Sequence, residues 1–154
     1  CGRVVDLGIT DANNMGAAMT PAAFDTLAAH FRDLGRGFAD YDLVVTGDLG
    51  RLGRELLIEL LREKKIDVDE GKLFDCGCEI FSEMQDVHSG GSGCGCAASM
   101  LCAHLLPELA AGRLKRVLFM ATGALLSPTS SMQGESVPGI AHAVVMEHRK
   151  EKGA

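Results

Sequence analysis

Residues 88–95, His-Ser-Gly-Gly-Ser-Gly-Cys-Gly, set one histidine, two hydroxyls and four glycines at the mouth of a long apolar stretch. Gly90, Gly91, Gly93 and Gly95 lack a Cβ, so the backbone there can take positive φ angles and come close to a ligand. The turn runs straight into a helical pattern, which predicts outward-pointing N–H groups at the positive end of a dipole, a combination that favours negative charge. Ser89 and Ser92 add hydroxyls, and His88 adds a neutral donor, acceptor or acid. The same residues would equally serve a tight strand-to-helix turn that needs glycine for packing alone.

The helix that follows ends near 111, and over residues 94–106 it is apolar around its whole circumference, interrupted only by Ser99 and His104. A helix apolar on every side is expected to be buried on every side, so something must cover it all round. His104 within it reads as a hydrogen-bonded core residue. His30 and His148 read as exposed, and His142 can face either way.

With 154 residues, 47% hydrophobic and 23% charged, the chain is sized and composed for one globular domain with a proper core. A net charge of −6 and the absence of a basic stripe argue against nucleic acid, and one Tyr with no Trp leaves few platforms for bases. The longest nearly apolar run, 117–126, is far short of the roughly 20 residues of a membrane span. No signal-peptide pattern opens the chain, and its first residue is not Met, so it reads as a piece of a longer protein. Six cysteines stand at 1, 76, 78, 94, 96 and 102. The two C-x-C pairs are a poor zinc pattern, since structural sites use wider spacing. Reduced thiols acting as small core residues are the expectation, with a reducing compartment and no metal or cofactor.

The elements that must position the 88–95 turn are legible in outline. Residues 3–9 (RVVDLGI) read as a strand and 10–20 as a turn-rich loop. Asn13, Asn14 and Met15 in that loop either line a site or only satisfy their own turns. Thr20-Pro21 predicts a helix start and Gly35 its stop. Residues 42–46 (DLVVT) read as a buried strand, followed by a plain strand-to-helix turn at 47–53 and a helix near 54–64. That turn lacks the residues of a phosphate loop, and Asp48 would repel an anion there. A short strand is expected just before His88. Residues 115–122 read as a strand, 123–138 as a long functional loop and 139–147 as a last, antiparallel strand. The predicted architecture is therefore α/β, a five-stranded mixed sheet with helices on both faces, spanning residues 1–148 before a charged tail at 149–154. Ligands of such sheets gather at the carboxyl ends of the strands, where His88 and the 123–138 loop would meet.

The order of elements, with a glycine-rich turn before an apolar third helix, resembles one half of the thiolase fold. That fold packs two halves into five layers with both third helices in the middle. The strings VVDLGITDANNMGAAMTPAAFDT, YDLVVTGDLG, QDVHSGGSGCGC and ATGALLSPTSSMQGESVPGIAHAVVME resemble the C-terminal half of the stage V sporulation protein AD family over about residues 2–147. The resemblance implies a thiolase-like protein that binds dipicolinic acid, a small flat dianion, and supports its uptake into the developing spore. It implies a place at the inner spore membrane beside membrane proteins of the same operon. The partner of the half would be its missing N-terminal half or a second copy. His88, Ser89, Gly90, Gly91, Ser92 and Gly93, with Ser127, Thr129 and Ser130 (and the neighbouring Ser131), offer donors for such a ligand.

Thiolases carry G-H-P-x-G-x-S-G at the turn, and the 88–93 string is one residue shorter and lacks the proline. Where thiolases place a catalytic Cys, this chain has Ala121-Thr122-Gly123-Ala124, with no thiol. A histidine without an activated nucleophile cannot transfer acyl groups, so no catalytic residue is assigned. The alternatives are half of an acyl-CoA-dependent thiolase or condensing enzyme, and a structural half-domain that serves oligomerisation.

Overall fold

In a computed structural model, residues 1–149 are described, with Cys94 described by its backbone alone. The predicted tail at 149–154 lies, beyond Arg149, outside the described residues. Four strands form one sheet in the order β2-β1-β3-β4. Strand β1 (Leu43–Thr46) lies parallel to β2 (Leu73–Asp75) and to β3 (Arg116–Ala124), and β4 (Gly139–Glu147) closes the other edge antiparallel to β3. Successive residues of the inner strands feed opposite faces. Val44, Leu118 and Met120 pack under helices α1 (Met15–Leu34) and α2 (Gly50–Glu63), while Val45, Val117 and Phe119 pack against Leu105 and Leu109 of the central helix. Burial on both faces explains why these strands read as continuous apolar runs instead of alternating ones.

The sheet has one strand fewer than predicted. Residues 3–9 make a single bridge, Val5 to Gly139, and leave Val4 and Leu7 at 51% and 67% exposure. Gly8 turns the chain at φ +76°, held by its N–H to Asp6, so the β-branched pair cannot extend into a ladder. No strand precedes His88 either. There Glu83–Gln85 forms a 3-10 turn, and Asp86 and His88 take positive φ. The strand of that region is β2, which ends where Asp75 caps the short helix α3 (Cys76–Glu79).

Helix α1 begins more than a turn before Thr20-Pro21. The side chain of Asn14 accepts the Ala17 N–H and supplies the cap, and Pro21 sits inside the helix. Gly35 ends it in the left-handed conformation, as its position predicts. Helices α1 and α2 cross at Gly16, where a Cβ would stand 2.6 Å from the Leu49 carbonyl oxygen.

The central helix is continuous in space but not uniform. Helix α4 (Cys94–Met100) passes through a π turn (Leu101–Leu105) into α5 (Leu106–Ala110). Pro107 has no N–H for the preceding turn, and a widened turn is a standard accommodation. The rod is not buried on every side. Cys96, Leu105 and Leu109 face the sheet, while Ala98, Ser99, Cys102, Ala103 and Leu106 face solvent. His104 is exposed too and stacks on Phe74 instead of bonding within the core. Helix α6 (Pro128–Met132), begun by a Ser127 cap, interrupts the long loop before β4.

Two other histidines differ from the sequence expectation. His148 is partly covered and pairs through Nδ1 with the Leu109 carbonyl. His30, on α1, has Nε2 2.6 Å from the buried Tyr41 hydroxyl, which accepts from Arg36. Burial and the nearby Arg36 cation lower the His30 pKa from its ordinary 6.5. The unfolded chain therefore binds this proton more readily, and folding should weaken as pH falls below about 6.5. The melting temperature is expected to drop more between pH 7.5 and 5.5 in the native sequence than in His30→Gln. Equal drops would show that His30 does not carry the effect.

Candidate functional site

Strands β1 and β2 end in register at Thr46 and Asp75, level with Met120 of β3, which runs on to Ala124 along β4, and the loops that follow meet at this edge. Asp75 is fully buried and accepts four hydrogen bonds, from Thr46 Oγ1 (2.6 Å), Leu49 N–H (3.0 Å), Gly50 N–H (3.0 Å) and Cys78 N–H (3.1 Å). One side chain thus fixes the starts of α2 and α3 beside the end of β1. The glycine turn is tied to this frame. Gly91 N–H donates to the Gly77 carbonyl at 2.7 Å, and Arg51 N–H donates to the Ser89 carbonyl at 2.8 Å. Gly90, at φ +115°, lies so close to the Gly77 carbonyl that any Cβ would collide with it.

Asp48 closes the frame from the other side. Its carboxylate accepts the Gly93 N–H at 2.9 Å and the hydroxyls of Ser92 at 3.4 Å and Thr122 at 3.0 Å. Asp48 sits in the strand-to-helix turn after β1, and its side chain reaches across to the 88–95 turn. Two of the donors predicted for an anion, the Gly93 N–H and the Ser92 hydroxyl, are already directed at this carboxylate.

Between these loops lies a cleft of about 220 Å³ lined by Asn13, Asn14, Met15, Asp48 and the Ser89–Ser92 backbone and side chains, with Gly16 and residues 49, 50 and 52. That is below the roughly 300 Å³ at which pockets for drug-sized ligands begin, and suits a ligand of few atoms. Asn14 both lines the cleft and caps α1, so the two readings of that loop hold together. Ser89, Gly90, Gly91 and Ser92 are brought together there, and Gly93 adjoins them through Asp48. His88 is exposed at positive φ and does not line the cleft. Ser127, Thr129 and Ser130 lie apart from it as well, with Ser127 occupied in capping α6. Sequence reasoning missed Asp75 as a hub, and the signal was present: an Asp at a strand end, three residues before a helical N–H.

The chemistry of the edge is that of hydrogen bonding. Burial, reinforced by Asp75, pushes the Cys76 and Cys78 thiols up to about 12, and burial also raises Cys96. None of the three offers a thiolate near neutral pH. Thr122, near the end of β3, spends its hydroxyl on Asp48. Among the described residues no group of three His, Cys, Asp or Glu side chains could hold a metal ion, and no helix is long and apolar enough to cross a membrane.

A mixed sheet with helices on both faces, a small polar cleft at the carboxyl ends of its parallel strands and one side of its inner helix open to solvent define a layered α/β protein. The chain belongs to the stage V sporulation protein AD family, which it matches over residues 1–147. It is 49% identical over 146 residues to Stage V sporulation protein AD of Bacillus subtilis (strain 168), an overlap that covers 95% of this chain and 43% of that protein. The chain therefore spans less than half the length of the curated relative it matches.

Proposed function

We propose that this chain is the C-terminal half of a thiolase-like sporulation protein that binds dipicolinic acid without transforming it and supports its uptake into the developing spore. The observation that carries the reading is the cleft at the strand ends. It offers two asparagines, two serines and turn backbone beside the Asp48 carboxylate, and no thiol that ionises near neutral pH. A small planar ligand with hydrogen-bonding oxygens suits that size and lining. The open side of the central helix supports a second half, or a second copy, as its cover. Membrane proteins of the same operon are the further partners in this reading, with the protein peripheral at the inner spore membrane.

Thermal unfolding of the full-length protein tests it. Dipicolinate at a hundred times its Kd stabilises by about 2.7 kcal/mol, which corresponds to a rise of about 4 °C in Tm for the full-length protein. Acetyl- and acetoacetyl-CoA are expected to give no rise. Turnover of either thioester, abolished by His88→Ala, would replace the binding reading with an acyl-transfer enzyme. If no ligand raises Tm, a structural role in oligomerisation takes its place.

A further inference from the structure

Asp48 is placed to do two things at once in the cleft. It lies just beyond β1, yet its carboxylate reaches residues 44, 45 and 74 positions away: Ser92, Gly93 and Thr122. Its own N–H donates to Thr122 Oγ1 at 3.1 Å, so that hydroxyl both receives from and gives to Asp48. The side chain is thereby clamped against β3. From there Oδ2 holds Gly93, whose φ of +96° sets the direction in which the chain enters α4. The opposite side of the turn is held only by backbone, through Gly91 to Gly77 and Arg51 to Ser89.

The same carboxylate forms part of the cleft wall, and no Lys or Arg is among the lining residues to offset it. Like charges within a few ångströms of each other oppose binding, most of all where water is partly excluded. Building the turn with a carboxylate therefore sets its rigidity against its affinity for an anion.

We propose that Asp48 is the positioning residue of this cleft and also its charge selector: it holds the glycine turn in the shape that receives a ligand, and its charge restrains the binding of a dianion. The inference rests on the dipicolinate reading for its second part and on geometry alone for its first. Asn keeps an oxygen for the Gly93 N–H while removing the charge, whereas Ala removes both. The two variants therefore separate the roles.

The test uses the full-length protein, with dipicolinate titrated by calorimetry and amide hydrogen exchange followed by mass spectrometry over residues 89–95. Asp48→Ala is expected to speed exchange of that segment at least tenfold and to weaken binding at least tenfold. Asp48→Asn should leave exchange near the native rate and tighten binding several-fold. Thr122→Val, which loosens the clamp while keeping the carboxylate, should speed exchange by an intermediate amount, and it answers the positioning question should Asp48→Ala fail to fold. Unchanged exchange in Thr122→Val and in a folded Asp48→Ala would overturn the positioning role. Binding weakened in Asp48→Asn as much as in Asp48→Ala would overturn charge selection. Native protein that does not bind dipicolinate, but shows the expected exchange pattern, would refute the functional reading and leave the positioning role standing.

Discussion

Asp75→Ala is expected to remove on the order of 4 kcal/mol of stability, a large share of the roughly 5–15 kcal/mol that a domain possesses. The reasoning counts orphaned donors. Three backbone N–H groups and the Thr46 hydroxyl converge on this one fully buried carboxylate. Each buried donor left without a partner costs about 1–3 kcal/mol, and relaxation or an entering water recovers part of it. Asp75→Asn should be milder, because one oxygen survives while the new NH2 group faces donors it cannot satisfy. Asp33→Ala provides the contrast. Its pairing with Arg32 lies on the surface, with side chains 72% and 63% exposed, and such pairs contribute about 0–1 kcal/mol. Urea unfolding of the full-length protein checks the order Asp75→Ala, then Asp75→Asn, then Asp33→Ala. A loss under about 1 kcal/mol for Asp75→Ala would mean that the loops at this edge hold themselves in place without it.

How much of this could be read beforehand follows from the range of each interaction. Gly35 as a stop, and the strands around 42–46, 115–122 and 139–147, rest on signals within a few residues, and the structure keeps them with small shifts of boundary. The first predicted strand failed because a β-branched pair needs a neighbour, and Val5 finds one only at Gly139, far along the chain. Pro21 marked a helix start that Asn14 supplies a turn and a half earlier, where its side chain takes the Ala17 N–H. At the site, Ser89–Ser92 and Asn13–Asn14 were legible because loops at the carboxyl ends of parallel strands share an edge by topology. Ser127 and Ser130 carry the same chemistry but spend it on each other at the start of α6, which donor type alone does not reveal. Asp48 and Asp75 stayed hidden for a third reason. Their partners lie up to 74 residues away, and the local cap signal at Asp75 tells of Cys78 alone, not of the donors that reach it from Thr46, Leu49 and Gly50.

The 154-residue chain alone is expected to self-associate at micromolar concentration, and the central helix is the reason. Ala98, Cys102, Ala103 and Leu106 recur three and four residues apart, so they form one face, and Leu106 is 43% exposed. A contiguous apolar face of this kind draws a cover in water. On the two-half reading, the remainder of a full-length family member supplies that cover. The same substitution should then act with opposite signs in the two contexts. Ala103→Arg places a charge in the middle of the face. In the chain alone it should shift sedimentation from oligomer to monomer and leave folding nearly untouched, because the site is exposed. In the full-length protein it should bury an unpaired cation and overpack a small site, costing about 3 kcal/mol or more. Sedimentation of the short chain and thermal unfolding of the long one read the two arms. A short chain that is monomeric without the substitution, together with a full-length protein indifferent to Ala103→Arg, would mean that solvent covers this face in the working protein. The open helix would then carry no second half.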